Sequence, residues 1–182
     1  MTATVFRPNE DGNSVNWSRQ PLSLFHWQNV DDAIADDDLT YNYTRAINSL
    51  EEFGFPNSSV YADNNSMITY VIFYARGKAT GSGATPIANL DFGVRNGKTG
   101  TRYAYTSSAK KFTSIYSTHT FLYSLCPWTN QQWTGTDVDN AYFSLQISSY
   151  GAFGDNARLT QVYLYVIYYP NTRAGFHVSY TP

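Results

Sequence analysis

Apolar residues recur at every second position along much of this chain, and the period is clearest over residues 157–169. There Val162, Leu164 and Val166 share one face, and Gln161, Tyr163, Tyr165 and Ile167 share the other. A period of two in a stretch rich in β-branched residues and tyrosine predicts a strand. One aliphatic and one amphipathic face place it centrally in a sheet covered on one side. Pro170 has no donor and ends the ladder.

The rest of the pattern is of the same kind. Residues 2–7 read as a short first strand stopped by Pro8, and 9–12 as a turn in which Gly12 takes positive φ. Trp17 falls in a polar loop, and 22–27 is a short apolar piece ending in Phe25-His26-Trp27. Residues 39–45 alternate as a strand with Leu39, Tyr41 and Tyr43 on one face. Leu50-Glu-Glu-Phe53 reads as one helical turn connecting strands. Residues 66–76 are apolar on both faces, as an internal strand is, and 77–86 form a Gly/Ser-rich surface loop. Residues 87–95 resume a strand with Ala88, Leu90, Phe92 and Val94 inward. Asn96-Gly97 is the strongest hairpin signal, and 98–107 is the return strand. Residues 111–125 add one or two strands, 127–133 an aromatic loop, 136–139 a truncated helix start and 142–148 another strand.

About eight or nine strands with almost no helix predict an all-β fold, an antiparallel two-sheet sandwich of jelly-roll type. Residues 1–169 form a single domain, and 170–182 an arm or extra edge strand with Phe176, Val178 and Tyr180 at alternate positions.

Composition narrows the function classes. A net charge of −2 with only 14% charged residues gives no footprint for nucleic acid. No apolar run reaches the ~20 residues of a membrane helix, so no membrane insertion is expected, and the N-terminus lacks a secretory pattern. Four Asn-x-Ser/Thr sites then read as chance products of an Asn- and Ser-rich chain. Aromatic residues make up 17%, a content that suits strands and also protein or sugar contacts.

Reactive chemistry is sparse. Gly97-Lys98-Thr99 fails as a phosphate loop because Phe92 stands where its first glycine belongs. Gly81-Ser82-Gly83 lacks the spacing and strand–helix context of a nucleophile elbow. His26, His119 and His177 are far apart, and Cys126 reads as a small buried hydrophobe. Neither a cofactor nor a transition-metal site is expected. Asp31, Asp32, Asp36, Asp37 and Asp38 supply the oxygens calcium requires but not the spacing of an EF-hand, and a solvated acidic loop is the preferred reading. Trp17, Trp27, Trp128 and Trp133 are each a sandwich plug or a sugar-stacking ring, with Trp128 and Trp133 singled out because they share a loop.

Several pieces in order carry a resemblance. They are Thr-x-x-x-Arg-Pro-Asn at the start, His26-Trp-Gln-Asn-Val-Asp-Asp32, Asp36-Asp-Asp-Leu-Thr-Tyr41, the Tyr-Ala-Arg76 strand end, Pro127-Trp128 before Asp137-Val-Asp139, and Arg158-Leu-Thr-Gln-Val-Tyr163. Together they resemble β-sandwich modules of tailed-phage virion proteins and some prokaryotic surface proteins. The resemblance implies a non-enzymatic virion structural protein, a decoration, head-fibre or tail-associated piece. Such a protein self-associates as a homo-oligomer, docks on other virion proteins and resides in the virion. The segment beyond Pro170 departs from the family pattern and reads as an assembly arm using Phe176, Val178 and Tyr180. The alternative is a carbohydrate-binding module or receptor-binding domain, extracellular or at a cell surface, contacting glycans through Trp128 and Trp133.

Overall fold

The structure is a computed structural model that describes residues 1–55, 67–83, 85–152 and 154–169, with backbone alone for 106–109. In chain order its strands begin with β1 (Thr2–Phe6), β2 (Glu10–Val15), β3 (Ser18–Gln20), β4 (Tyr41–Thr44) and β5 (Leu50–Gly54). They continue with β6 (Met67–Thr80), β7 (Ala88–Asn96), β8 (Arg102–Phe112), β9 (Ser117–Tyr123), β10 (Ala141–Tyr150) and β11 (Asn156–Tyr169). A 3₁₀ turn at Trp27–Asn29 and a short helix α1 (Gly135–Asn140) interrupt them.

Two antiparallel sheets result. The first runs β3-β4-β11-β6-β9, with β1 also paired to β11, and the second runs β2-β5-β10-β7-β8. β11 is central as its pattern predicts: β6 lies along one side, while β4 and β1 share the other. Val162, Leu164 and Val166 point into the core, and the tyrosines between them stand on the outer face. The core between the sheets is aromatic at its centre. Phe73 stacks on Phe143 with centroids 5.7 Å apart and meets Phe55 and Phe92 edge-on. The all-β, two-sheet sandwich expected from the pattern is therefore the observed fold, jelly-roll-like in the way the chain passes between sheets.

Several local expectations are corrected. Leu50-Glu-Glu-Phe53 is strand β5, because Glu51 and Glu52 are both fully buried and each finds donors across the fold. Residues 10–12 lie in β2 instead of a turn. Gly12 serves close approach, since a Cβ there would collide with Cβ of Glu52. β6 continues through Gly77–Thr80, which had read as loop: Gly77 packs under the Phe112 ring, where a side chain would not fit. The Asn96-Gly97 hairpin exists, but its connection is longer than two residues, for Arg95 pairs with Arg102. Of that dipeptide only Gly97 takes positive φ, at 68°. The proposed arm residues Phe176, Val178 and Tyr180 lie outside the described residues.

Candidate functional site

Trp133 and Trp128 are close together but differently placed. Trp133 is 1% exposed, bridges backbone to Ile68, and stacks against Phe143 at 6.2 Å. It belongs to the core and offers no ring face to a ligand in this structure. Trp128 is half-buried, edge-on to Trp133 at 5.3 Å, and donates its indole N–H to Asp137 Oδ1 at 3.1 Å. Trp17 is buried too, with its indole N–H on the Ser49 carbonyl. Three of the four tryptophans thus serve packing, as large amphipathic side chains at the sandwich ends do.

The acidic loop is tied down by basic side chains of the first sheet. Asp37, at φ 56°, takes Arg76 through two hydrogen bonds of 2.8 Å. Asp38 takes Lys78 at 2.8 Å, Arg158 at 3.0 Å and the Tyr116 hydroxyl at 2.9 Å. Hydrogen bonds from Lys78 and Tyr116 hold the Asp38 carboxyl below the usual carboxylate range. Asp36 and Asp32 accept from the Thr40 hydroxyl. Among the described residues, no group of three or more His, Cys, Asp or Glu side chains is placed to hold a metal ion.

The fourth tryptophan is different. Phe25 and Trp27 flank a loop residue, His26, whose side chain turns inward. His26 Nδ1 lies 2.5 Å from Glu51 Oε1, and its carbonyl accepts from Asn42 Nδ2 at 3.0 Å. Glu51 Oε1 also takes Asn42 Nδ2, and Oε2 takes the Trp17 backbone N–H. Burial pushes the Glu51 carboxyl above its ordinary range, against the pull of His26 and the Trp17 amide. Asp11, in β2, then receives the backbone N–H groups of His26 (3.0 Å) and Trp27 (2.9 Å) on its two oxygens.

With the middle residue held from inside and both amides held by Asp11, Phe25 is presented outward, while Trp27 is half-buried and packs partly against the core. Their rings lie nearly parallel, at 14° and 6.3 Å between centroids, and Phe25 is 43% exposed. The rings border a cleft of about 220 Å³ whose other walls are Asn9, Glu10, Asp11 and Lys98. Glu10 receives the Tyr142 hydroxyl and, at 2.9 Å on its other oxygen, Lys98 Nζ. Apolar rings beside a few oriented polar groups are the general composition of a small-ligand site. The cleft therefore brings Trp27 together with Asn9, Glu10, Asp11 and Lys98, whose positions in the sequence give no sign of a shared site. The signal was present in Phe25-His26-Trp27: outside a strand, aromatic–polar–aromatic alternation serves no sheet face.

No protein-family model matches the chain, and no curated protein matches it. Among solved structures it is similar to the CBM36-1 domain of a multidomain xylanase from the hindgut metagenome of Trinervitermes trinervoides. That match has TM-score 0.39 and 13% identity, covering 91% of this chain and 97% of that one. It is also similar to the CBM22-1 xylan-binding domain of Paenibacillus barcinonensis Xyn10C, with TM-score 0.44 and 14% identity, covering 90% and 93%. The tandem CBM22-1–CBM22-2 domain of the same protein gives TM-score 0.48 and 14% identity, covering 98% of this chain and 49% of that one. The expectation of a virion structural protein is corrected here: the similar structures just named are carbohydrate-binding domains.

Proposed function

We propose that this chain is a non-catalytic carbohydrate-binding module acting outside the cell or at its surface, with glycans as its partners. The observation that carries the reading is the Phe25–Trp27 ring pair over the cleft of Asn9, Glu10, Asp11 and Lys98. A pyranose has apolar C–H faces and a polar rim of hydroxyls. The rings suit the face, while the carboxylate, ammonium and amide groups suit the rim.

The way the two acids are used supports binding without catalysis. Both Asp11 oxygens accept backbone N–H groups, and both Glu10 oxygens are engaged by Tyr142 and Lys98. Such carboxylates orient a ligand well and are poorly disposed to the proton transfers that glycoside cleavage requires.

Affinity electrophoresis across a panel of soluble polysaccharides, beginning with xylan, tests the reading. Trp27→Ala and Phe25→Ala are each expected to weaken binding of the retained glycan by about tenfold or more, the loss of one well-packed aromatic contact. Their circular dichroism should match that of the wild type. Retention unchanged in both variants would remove the cleft from consideration.

A further inference from the structure

A second cavity lies on the outer face of the first sheet and shares no lining residue with the cleft beside the ring pair. It measures about 130 Å³ and is lined by Gln20 of β3, Tyr41 and Tyr43 of β4, Arg45 just beyond it, and Asn156 and Arg158 of β11. Its position follows from register: Tyr41 pairs with Gln20, and Tyr43 pairs with Arg158, so three strands bring these side chains to one place.

Every lining side chain carries a hydrogen-bond donor, and none is acidic. The Arg158 guanidinium lies over the Tyr41 ring at 4.6 Å, and Tyr41 meets Tyr43 edge-on at 5.9 Å. Arg158 spends one nitrogen on Asp38 at 3.0 Å, and that carboxylate is already shared with Lys78 and Tyr116. Asn156 Oδ1 accepts from the Thr80 hydroxyl at 2.6 Å, which leaves its NH₂ to a ligand. Arg45 is exposed and makes no ion pair with any described residue. Two guanidinium groups with phenol and carboxamide donors around a small recess form a receptor for an anionic oxygen group.

We propose that this cavity binds the carboxylate of an acidic sugar unit, so that the module prefers uronate-bearing glycans over neutral ones. The inference rests on the glycan-binding reading for its ligand class but uses residues separate from the cleft. The recess is small and open on one side, a shape that admits a carboxylate while the rest of the sugar lies outside. The planar fork of an arginine suits a carboxylate, and stacking on Tyr41 holds that of Arg158 in place.

The test titrates the full chain with sodium glucuronate, glucose and sodium sulfate, following side-chain amide and guanidinium nitrogens by NMR. Glucuronate is expected to shift Arg45, Arg158, Gln20 and Asn156 saturably, while glucose leaves them in place. In affinity gels, a glucuronate-substituted polysaccharide should bind about tenfold tighter than its neutral counterpart. Arg45→Gln should reduce that preference and Arg45→Gln/Arg158→Gln abolish it, with neutral binding retained. The single Arg45 variant guards against loss of the Arg158–Asp38 pair. Absence of glucuronate shifts, equal shifts with sulfate, or a preference surviving in the double variant would each overturn the proposal. If neither polysaccharide binds, the glycan-binding reading fails, while the glucuronate titration still decides the fate of the cavity.

Discussion

Glu51 is a charged residue type with no exposure, placed where the second sheet meets the loop that presents Phe25 and Trp27. Its surroundings supply three donors, so the carboxylate is satisfied, yet desolvation still outweighs them and raises its pKa. The consequence for stability has a definite sign. A carboxyl that prefers its neutral form in the folded state contributes fully below its unfolded pKa, and the contribution is lost as pH rises through the raised folded value. Unfolding free energy should therefore fall as pH climbs above the ordinary glutamate range, with Asp11 nearby adding to the cost of the charge. Glu51→Gln keeps an acceptor for His26 or Trp17 and removes the titration. Urea midpoints measured from about pH 4 to 8 should show a flatter profile for the variant in that window. An identical slope in both proteins would assign the pH dependence to other groups.

At the level of elements, α1 shows how one short segment serves a distant ring. Thr134 and Asp137 form a reciprocal capping box, and the same aspartate accepts the Trp128 indole N–H. Asp137→Ala removes the cap and the anchor together, so a loss of about 1–2 kcal/mol is expected from denaturant unfolding, with Trp128 fluorescence shifted toward that of a wetter indole. Thr134→Ala should cost about 1 kcal/mol and leave the fluorescence nearly unchanged. What could be read in the chain divides along similar lines. β7, β10 and β11 were legible because their apolar core-facing residues alternate with more polar ones, which writes a period of two into the residues themselves. β5 was not, because its Glu51-Glu52 pair is buried by partners from β2, β7 and the His26 loop, which local pattern does not reveal. For the same reason the sequence favours Trp133, which shares a loop with Trp128, over Trp27 as a ligand contact. Only the strands that close over one and leave the other beside an open cleft separate them.

For the whole molecule, the acidic loop acts as a clasp over the first sheet. Residues more than a hundred positions apart, Asp38 and Arg158, are joined there, and Arg76 and Lys78 of the neighbouring strand are held by the same short run of carboxylates. Tyr116 is drawn in by its hydroxyl on Asp38, and Lys78 lies 4.3 Å from its ring centroid. Exposed single pairs contribute little, about 0–1 kcal/mol each, but several charges sharing one acceptor act as a network. Asp38 is more than half exposed, so its share is small and screened by salt. Its depressed pKa still gives the direction: the contribution is present at neutral pH and lost as pH falls through the lowered folded value. Asp37→Asn/Asp38→Asn should accordingly lower the thermal midpoint at neutral pH and low salt. The difference from wild type should narrow in about 1 M salt, and again in acid. A difference that persists undiminished in both conditions would mean that the loop is held by its backbone and the Thr40 hydrogen bonds instead of by charge.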